Sequence, residues 1–132
     1  MRAKHTAWAG AALIGGGSGL VGIAALLLPE VWMSLFTQDA DVIAAGKTYI
    51  YVVAPLYALY GGGLGLFFAC QGAGHLWIPM LANILRVGTA AAGGAFAIHI
   101  LGFGLPGLVS AMATGMVASS AILAIYVYSA RW

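Results

Sequence analysis

The sequence predicts an all-α integral membrane protein with four transmembrane helices, and three observations lead to this fold class. Of the 132 residues, 63% are apolar and only 6% are charged, whereas a soluble domain carries about a quarter charged residues. Four apolar stretches are each long enough to cross a bilayer, which takes about 20 residues in a helix. None of them shows the roughly ten-residue alternation of apolar and polar residues that is typical of a membrane β-barrel.

The same composition excludes several other classes of protein. A chain this apolar cannot cover itself with the polar surface of a soluble globular protein. It is not a disordered chain either, because disordered chains are polar and charged. The five lysines and arginines are scattered along the chain, so they form no basic patch of the kind that a nucleic-acid-binding protein needs. We therefore expect the lipid bilayer, and no nucleic acid, to surround this chain.

The four predicted spans cover residues 7–28, 48–70, 76–101 and 105–128. The first span contains no charge, and its apolar run is longer than the 7–15 residues of a signal-peptide core. The third span contains a single charge, Arg86. Short glycine-rich links join the second span to the third and the third to the fourth, which predicts antiparallel neighbouring helices. We treat residues 1–132 as a single membrane domain.

The longest connection, residues 29–47, contains all three acids of the chain. Large apolar residues between Val31 and Phe36 recur there at helical spacing. This pattern predicts an amphipathic helix over about residues 30–37 that lies in the membrane interface. Both an ordinary lid helix and a gating element are consistent with the pattern.

Basic residues near the span ends predict the orientation, because cytoplasmic loops are richer in lysine and arginine. Arg2 and Lys4 precede the first span and Arg131 follows the fourth. The opposite side has only Lys47, together with the three acids. The sequence therefore predicts a multi-pass protein of the inner or plasma membrane with both termini in the cytoplasm.

The chain contains 20 glycines, and several recur in the spans at a spacing of four residues or a multiple of it. Small residues at this spacing line one face of a helix and let two helices approach closely. We predict that these glycines are packing positions, and the same smooth faces are compatible with helices that slide. The glycines concerned are Gly15 and Gly19 in the first span, Gly61 and Gly65 in the second, and Gly107 and Gly115 in the fourth.

Two prolines lie inside predicted spans. Pro79 lies in the first turn of the third span, where proline costs little. Pro55 lies about two turns into the second span, where it removes a backbone donor and tends to kink the helix. Pro55 is therefore the candidate hinge, and a kink that serves only packing is the alternative.

Arg86 is the strongest candidate for a functional residue. It lies about ten residues into the third span, and an arginine near the bilayer centre costs roughly 2.5–3.5 kcal/mol. At about 100° per residue, the residues that share its helix face are all small or polar and include Asn83. We therefore expect Arg86 and Asn83 to face the protein interior or a water-filled cavity. Two roles stay open: a structural arginine bound to carbonyls of neighbouring helices, and a residue that lines a transport path.

None of the four predicted spans contains an Asp or a Glu, so Arg86 has no acidic partner in the membrane part of the chain. Its expected partners are backbone carbonyls, Gln71, Asn83, water or a group outside these 132 residues. Arg86, Asn83 and Gln71 are the candidate residues of a substrate pathway. The missing counter-ion is the first indication that the chain is a fragment.

Several motifs follow one another in a characteristic order along the chain. The run LFTQDADVI precedes a helix that contains Tyr49 and Pro55, and the sequence QGAG ends that helix. The next helix carries Pro79, Asn83 and Arg86. The order of these motifs resembles the C-terminal part of the multidrug and toxic compound extrusion (MATE) family of efflux transporters. The resemblance covers essentially the whole chain and corresponds to about the last four of the family's twelve helices.

The resemblance implies a partial MATE-type helical bundle, taken from a fold of two six-helix bundles that open alternately to either side. It implies an antiporter that exports drugs and other xenobiotic organic compounds, small and amphipathic or cationic, with Na⁺ or H⁺ as the only expected cofactor. The missing N-terminal helices would be the partner of this chain. We expect the chain to be inactive alone, because alternating access needs two bundles that move around a central site.

This chain departs from the family pattern in its lack of a membrane carboxylate. Family members bind the coupling cation with buried acids, so the resemblance supplies no coupling residue here. The same lack counts against a small four-helix drug exporter, which depends on a membrane-embedded glutamate. A small accessory or interaction subunit without transport activity is the alternative function.

An enzyme is not expected. Ser18 lies in a Gly-x-Ser-Gly pattern typical of intramembrane proteases, and His99 is the candidate base for it. The two residues differ in predicted depth by roughly 18 Å at 1.5 Å per residue, and a nucleophile and its base must come within hydrogen-bond reach. The sequence contains no cluster of metal-ligating residues, so we predict neither a catalytic nor a metal site.

Overall fold

Four helical stretches of the structure are long and apolar enough to cross a membrane, which confirms the predicted all-α membrane fold. The structure is a computed structural model and describes residues 2–129. In this part of the chain there are no strands. The four spans are Arg2–Leu27, Ala40–Gly72, Trp77–His99 and Gly104–Ser129.

The first span is one uninterrupted α-helix, α1 (Arg2–Leu27), because its apolar sequence contains no proline. Pro29 then begins the short helix α2 (Pro29–Ser34), at a position where its missing N–H is tolerated. The helix predicted over residues 30–37 thus ends earlier, at Ser34. The backbone N–H groups of Phe36 and Thr37 both donate to the carbonyl of Met33 and close it with a turn.

The second span consists of α3 (Ala40–Val53), a 3₁₀ turn (Ala54–Leu56) and α4 (Tyr57–Gly72). Its helix begins well before the predicted start at residue 48, because Asp39 caps it. The Asp39 side chain accepts a hydrogen bond from the backbone N–H of Asp41 at 2.9 Å, which satisfies a donor in the first helical turn.

The third span is also interrupted. It consists of α5 (Trp77–Gly88), a π-helical turn (Thr89–Gly93) and α6 (Gly94–His99). The π-helical turn was not predicted from the sequence. The fourth span is a single helix, α7 (Gly104–Ser129), whose one proline lies in its first turn.

The spans pack in the order first, second, fourth, third. The first span packs along α4, α4 packs against α7, and α7 contacts the whole length of the third span. The Lys4 side chain donates a hydrogen bond to the carbonyl of Tyr128 at 2.9 Å, so the start of α1 and the end of α7 lie at the same end of the bundle. Large apolar side chains such as Leu13, which is 80% exposed, cover the outer surface, as expected for residues that face lipid.

Candidate functional site

A cavity of about 240 Å³ lies between the second, third and fourth spans. Both residues that the sequence pairs on one face of the third span, Asn83 and Arg86, line it. Most of the remaining lining is apolar, and two serines of α7 add hydroxyl groups. The lining residues are Tyr60, Gly63, Leu64 and Phe67 of α4, Pro79, Ala82, Asn83 and Arg86 of α5, and Ser119, Ser120 and Leu123 of α7.

Arg86 is half-buried and has two partners in this cavity. Its Nε and Nη2 groups both donate to Oδ1 of Asn83, at 3.3 Å and 3.1 Å. Its guanidinium carbon lies 5.3 Å from the centroid of the Tyr60 ring, which is within the range of a cation–π interaction. The guanidinium hydrogen bonds of Arg86 therefore go to a side chain of its own helix, and the neighbouring helix provides an aromatic face instead of a backbone carbonyl.

Tyr60 is the partner of Arg86 that sequence reasoning missed. The signal that could have found it is the spacing of this helix face, on which Gly63, Leu64 and Phe67 follow Tyr60 by three, four and seven residues. Residues at this spacing share one face of a helix. The structure places that face toward Arg86.

The two serines of the cavity are the buried polar residues of the described chain. Ser119 and Ser120 are only 5% and 4% exposed. The Ser119 hydroxyl donates to the backbone carbonyl of Met116 at 3.1 Å. Ser120 lies against Gly63, where an added Cβ would be 2.5 Å from its hydroxyl oxygen. The small size of Gly63 therefore lets α4 and α7 meet next to the cavity.

A glycine also holds the backbone that carries Arg86. A Cβ added at Gly115 of α7 would lie 2.8 Å from the backbone carbonyl oxygen of Arg86. Real Cβ atoms do not approach so closely, so any larger residue would push the third span away from α7. Gly115 thus lets the backbone that carries Arg86 lie directly against α7.

The other glycines predicted for packing also lie at close contacts. The first span meets the second through four of them, and Gly107 packs against the end of the third span. A Cβ added at Gly15 would lie 2.8 Å from the Ala58 carbonyl oxygen, and one added at Gly19 would lie 3.0 Å from the Ala58 Cβ. At Gly61 it would meet Ser18, and at Gly65 it would lie 2.6 Å from the Ala11 Cα. At Gly107 it would lie 2.9 Å from the Ala97 Cβ.

The structure does not bring the other two candidates to this cavity. Gln71 is exposed near the end of α4, and it is not among the cavity-lining residues. Pro55 is exposed in the 3₁₀ turn. The α-helix is therefore interrupted where proline removes a backbone donor, as its position in the sequence indicates.

An ion pair lies in the region that connects the first two spans. Nζ of Lys47 lies 2.6 Å from Oε1 of Glu30, and this hydrogen bond, with the charge of the ammonium group, lowers the pKa of the Glu30 carboxyl. The pair therefore links α2 to α3 outside the cavity. Among residues 2–129 no group of three or more His, Cys, Asp or Glu side chains could hold a metal ion.

The comparison with protein families gives a match that covers most of the chain. The model of the MatE family matches residues 1–96, which include the first two spans and the Arg86 region of the third. Comparisons with curated proteins and with solved structures gave no match. A membrane fold of four long apolar helices agrees with the family match. The chain is thus a multi-pass membrane protein and belongs to the MatE family, whose members are multidrug efflux transporters.

Proposed function

We propose that this chain is part of an antiporter, coupled to Na⁺ or H⁺, that exports drugs and other xenobiotic organic compounds across the cell membrane. The observation that supports it most is the cavity in which Arg86 and Asn83 face a largely apolar lining. A charged residue inside a membrane span is costly, and such residues mark substrate and ion pathways. An apolar wall with a few convergent polar groups is typical of a small-molecule site.

In this proposal Arg86 and Asn83 contact the substrate and Tyr60 positions the guanidinium group. The 3₁₀ turn at Pro55 is the hinge about which the two halves of the second span move. Since the predicted spans contain no carboxylate, we propose that the coupling acid belongs to another part of the transporter. Since the two described chain ends meet through Lys4 and Tyr128, we also propose that both termini lie on one side of the membrane, the cytoplasmic side.

The test is dye efflux from an efflux-deficient strain that expresses the chain in its native genetic context, with the coding sequence on either side of it. Cells are loaded with ethidium or with an anionic fluorescent dye and then energised. We expect faster loss of at least one dye than in cells with an empty vector. An ionophore that dissipates the coupling gradient should abolish the difference.

Arg86→Ala should slow this efflux about tenfold, as expected when charge-assisted hydrogen bonds to a substrate are lost, while the amount of protein in the membrane stays the same. Arg2→Ala is the matched control, since Arg2 lies at the exposed start of α1. Unchanged efflux per molecule in Arg86→Ala would leave Arg86 a structural residue. Retention of both dyes by cells with normal amounts of the wild-type protein would favour the accessory subunit.

A further inference from the structure

The charge of Arg86 is not compensated by any acid near it in the described chain. Arginine stays protonated in proteins, and burying a charge is costly unless it is paired. The three acids, Glu30, Asp39 and Asp41, all lie before or at the start of α3. Tyr60, over which the guanidinium lies, is roughly 28 Å along the second span from Asp41 at 1.5 Å per residue. The cavity therefore has a net positive charge.

The guanidinium group also has N–H donors that Asn83 does not occupy. Of its five N–H groups, the Nε–H and one Nη2–H donate to Asn83. No further hydrogen bond joins the Arg86 side chain to residues 2–129. The remaining Nη1 and Nη2 donors form the end-on fork of the guanidinium, which matches the two oxygens of a carboxylate.

The surroundings of this fork favour a small anion with an apolar body. Ser120 is 4% exposed and lines the cavity, and its hydroxyl makes no hydrogen bond to another residue of the described chain, so this hydroxyl is available as a donor. Leu64, Phe67 and Leu123 provide apolar contacts. The volume of about 240 Å³ is below the roughly 300–1,000 Å³ typical of drug-sized ligands, so it suits a compact, single-ring molecule.

A cationic ligand fits the same cavity poorly. Arg86 would repel it, and there is no carboxylate among the lining residues to attract it. The Tyr60 ring could attract a cation through its face, but the Arg86 guanidinium already lies over that ring. Charge and aromatic surface therefore both favour an anion.

We propose that this cavity is a binding site for small amphipathic carboxylates, held by the Arg86 fork and the Ser120 hydroxyl with their apolar part against Leu64 and Phe67. This inference rests on the proposed function, because it names the substrate class of the same site. The binding itself requires no transport and can be measured separately.

The experiment is equilibrium dialysis of radiolabelled benzoate against the purified chain in nanodiscs of zwitterionic phosphatidylcholine, with empty nanodiscs as the blank. We expect saturable binding that unlabelled benzoate displaces, while benzamide and benzylamine, the neutral and cationic analogues, do not. Arg86→Gln should weaken binding about tenfold or more. Arg86→Lys should fall between the two, because it keeps the charge and loses the fork.

Two further variants keep the result decisive if Arg86→Gln fails to fold. Leu64→Trp fills the cavity and leaves every charge in place, so it should abolish benzoate binding in a folded protein. Arg2→Gln removes a cation outside the cavity and should bind as the wild type does. Displacement of benzoate by benzylamine as readily as by benzoate, or affinity within twofold of the wild type in folded Arg86→Gln or Leu64→Trp, would overturn the inference.

The outcomes separate this inference from the proposed function. Benzoate binding that depends on Arg86, without export of any dye, would support the site and contradict the transporter. Dye export without benzoate binding would contradict the site and leave the transporter in place.

Discussion

The two faces of α4 are built in opposite ways. Toward α1, Gly61 and Gly65 bring the backbones into contact, and a Cβ added at Gly65 would lie 2.6 Å from the Ala11 Cα. Toward the third span, Tyr60, Leu64 and Phe67 stand between the helices and border a cavity of about 240 Å³. Residue size along one helix therefore decides which contact of the bundle is closed and which one leaves a cavity.

The α4 face that packs on α1 through Gly61 and Gly65, the closed face, should lose the most stability when a single methyl group is added. We expect Gly65→Ala to lower the free energy of unfolding by about 1–3 kcal/mol, because overpacking of a tight contact forces the backbones apart. The measurement is unfolding of the purified chain by SDS titration, followed by circular dichroism.

The matched control for this change is Gly17→Ala in α1. A Cβ at Gly17 has nothing within 4 Å, so the variant should be as stable as the wild type or more stable by up to about 1 kcal/mol, from the higher helix propensity of alanine. Equal stabilities of the Gly65 and Gly17 variants would show that the first two spans are not held by this glycine face.

The cavity face should respond to the loss of an aromatic ring. In a double-mutant cycle, Tyr60→Leu and Arg86→Gln should show a coupling energy of about 0.5–2 kcal/mol, because the cation–π interaction requires both groups. Tyr60→Phe keeps the ring and should behave as the wild type in the same titration. A coupling energy indistinguishable from zero would mean that the ring only fills space beside Arg86.

The smallest effect is expected at the ion pair of Glu30 and Lys47, which links α2 to α3. The pKa of Glu30 is lowered in the folded protein from its ordinary value of 4.5 by the hydrogen bond and charge of Lys47. Its contribution to stability is therefore fully present above pH 4.5 and is lost as the pH falls through the lower pKa of the folded state.

The corresponding test compares the thermal midpoints of the wild type and Glu30→Gln as a function of pH. The wild type should be slightly more stable at pH 7, and the difference should vanish at strongly acidic pH and shrink at high salt. A difference that stays constant with pH would mean that Glu30 acts through packing rather than through its charge. In that case the ion pair would contribute no electrostatic stabilisation to the fold.

Much of the architecture follows from single-helix patterns. Apolar length predicts the four spans, the position of Pro55 matches the 3₁₀ turn, and the small and polar face of α5 leads to Asn83 and Arg86. The sequence alone does not predict Tyr60 as the partner of Arg86, since that contact depends on how two helices rotate against each other. The predicted start of the second span, residue 48, lies too late in the chain. The polar residues Asp41 and Lys47 make the first turns of α3 look like a loop, although Asp39 caps a helix there.

The π-helical turn at Thr89–Gly93 follows Arg86 almost directly and contains an additional residue in one turn. In an α-helix each residue rotates the chain by about 100°. The wider turn takes up about that rotation, so α6 presents the face that it would have in a regular α-helix one residue shorter. Deletion of one alanine here should therefore keep Gly94 and Ala97, which are buried, against α7, whereas a regular α-helix of unchanged length would turn them away from α7 by about 100°. The π-helical turn thus sets which face α6 presents to α7 separately from the face that α5 presents.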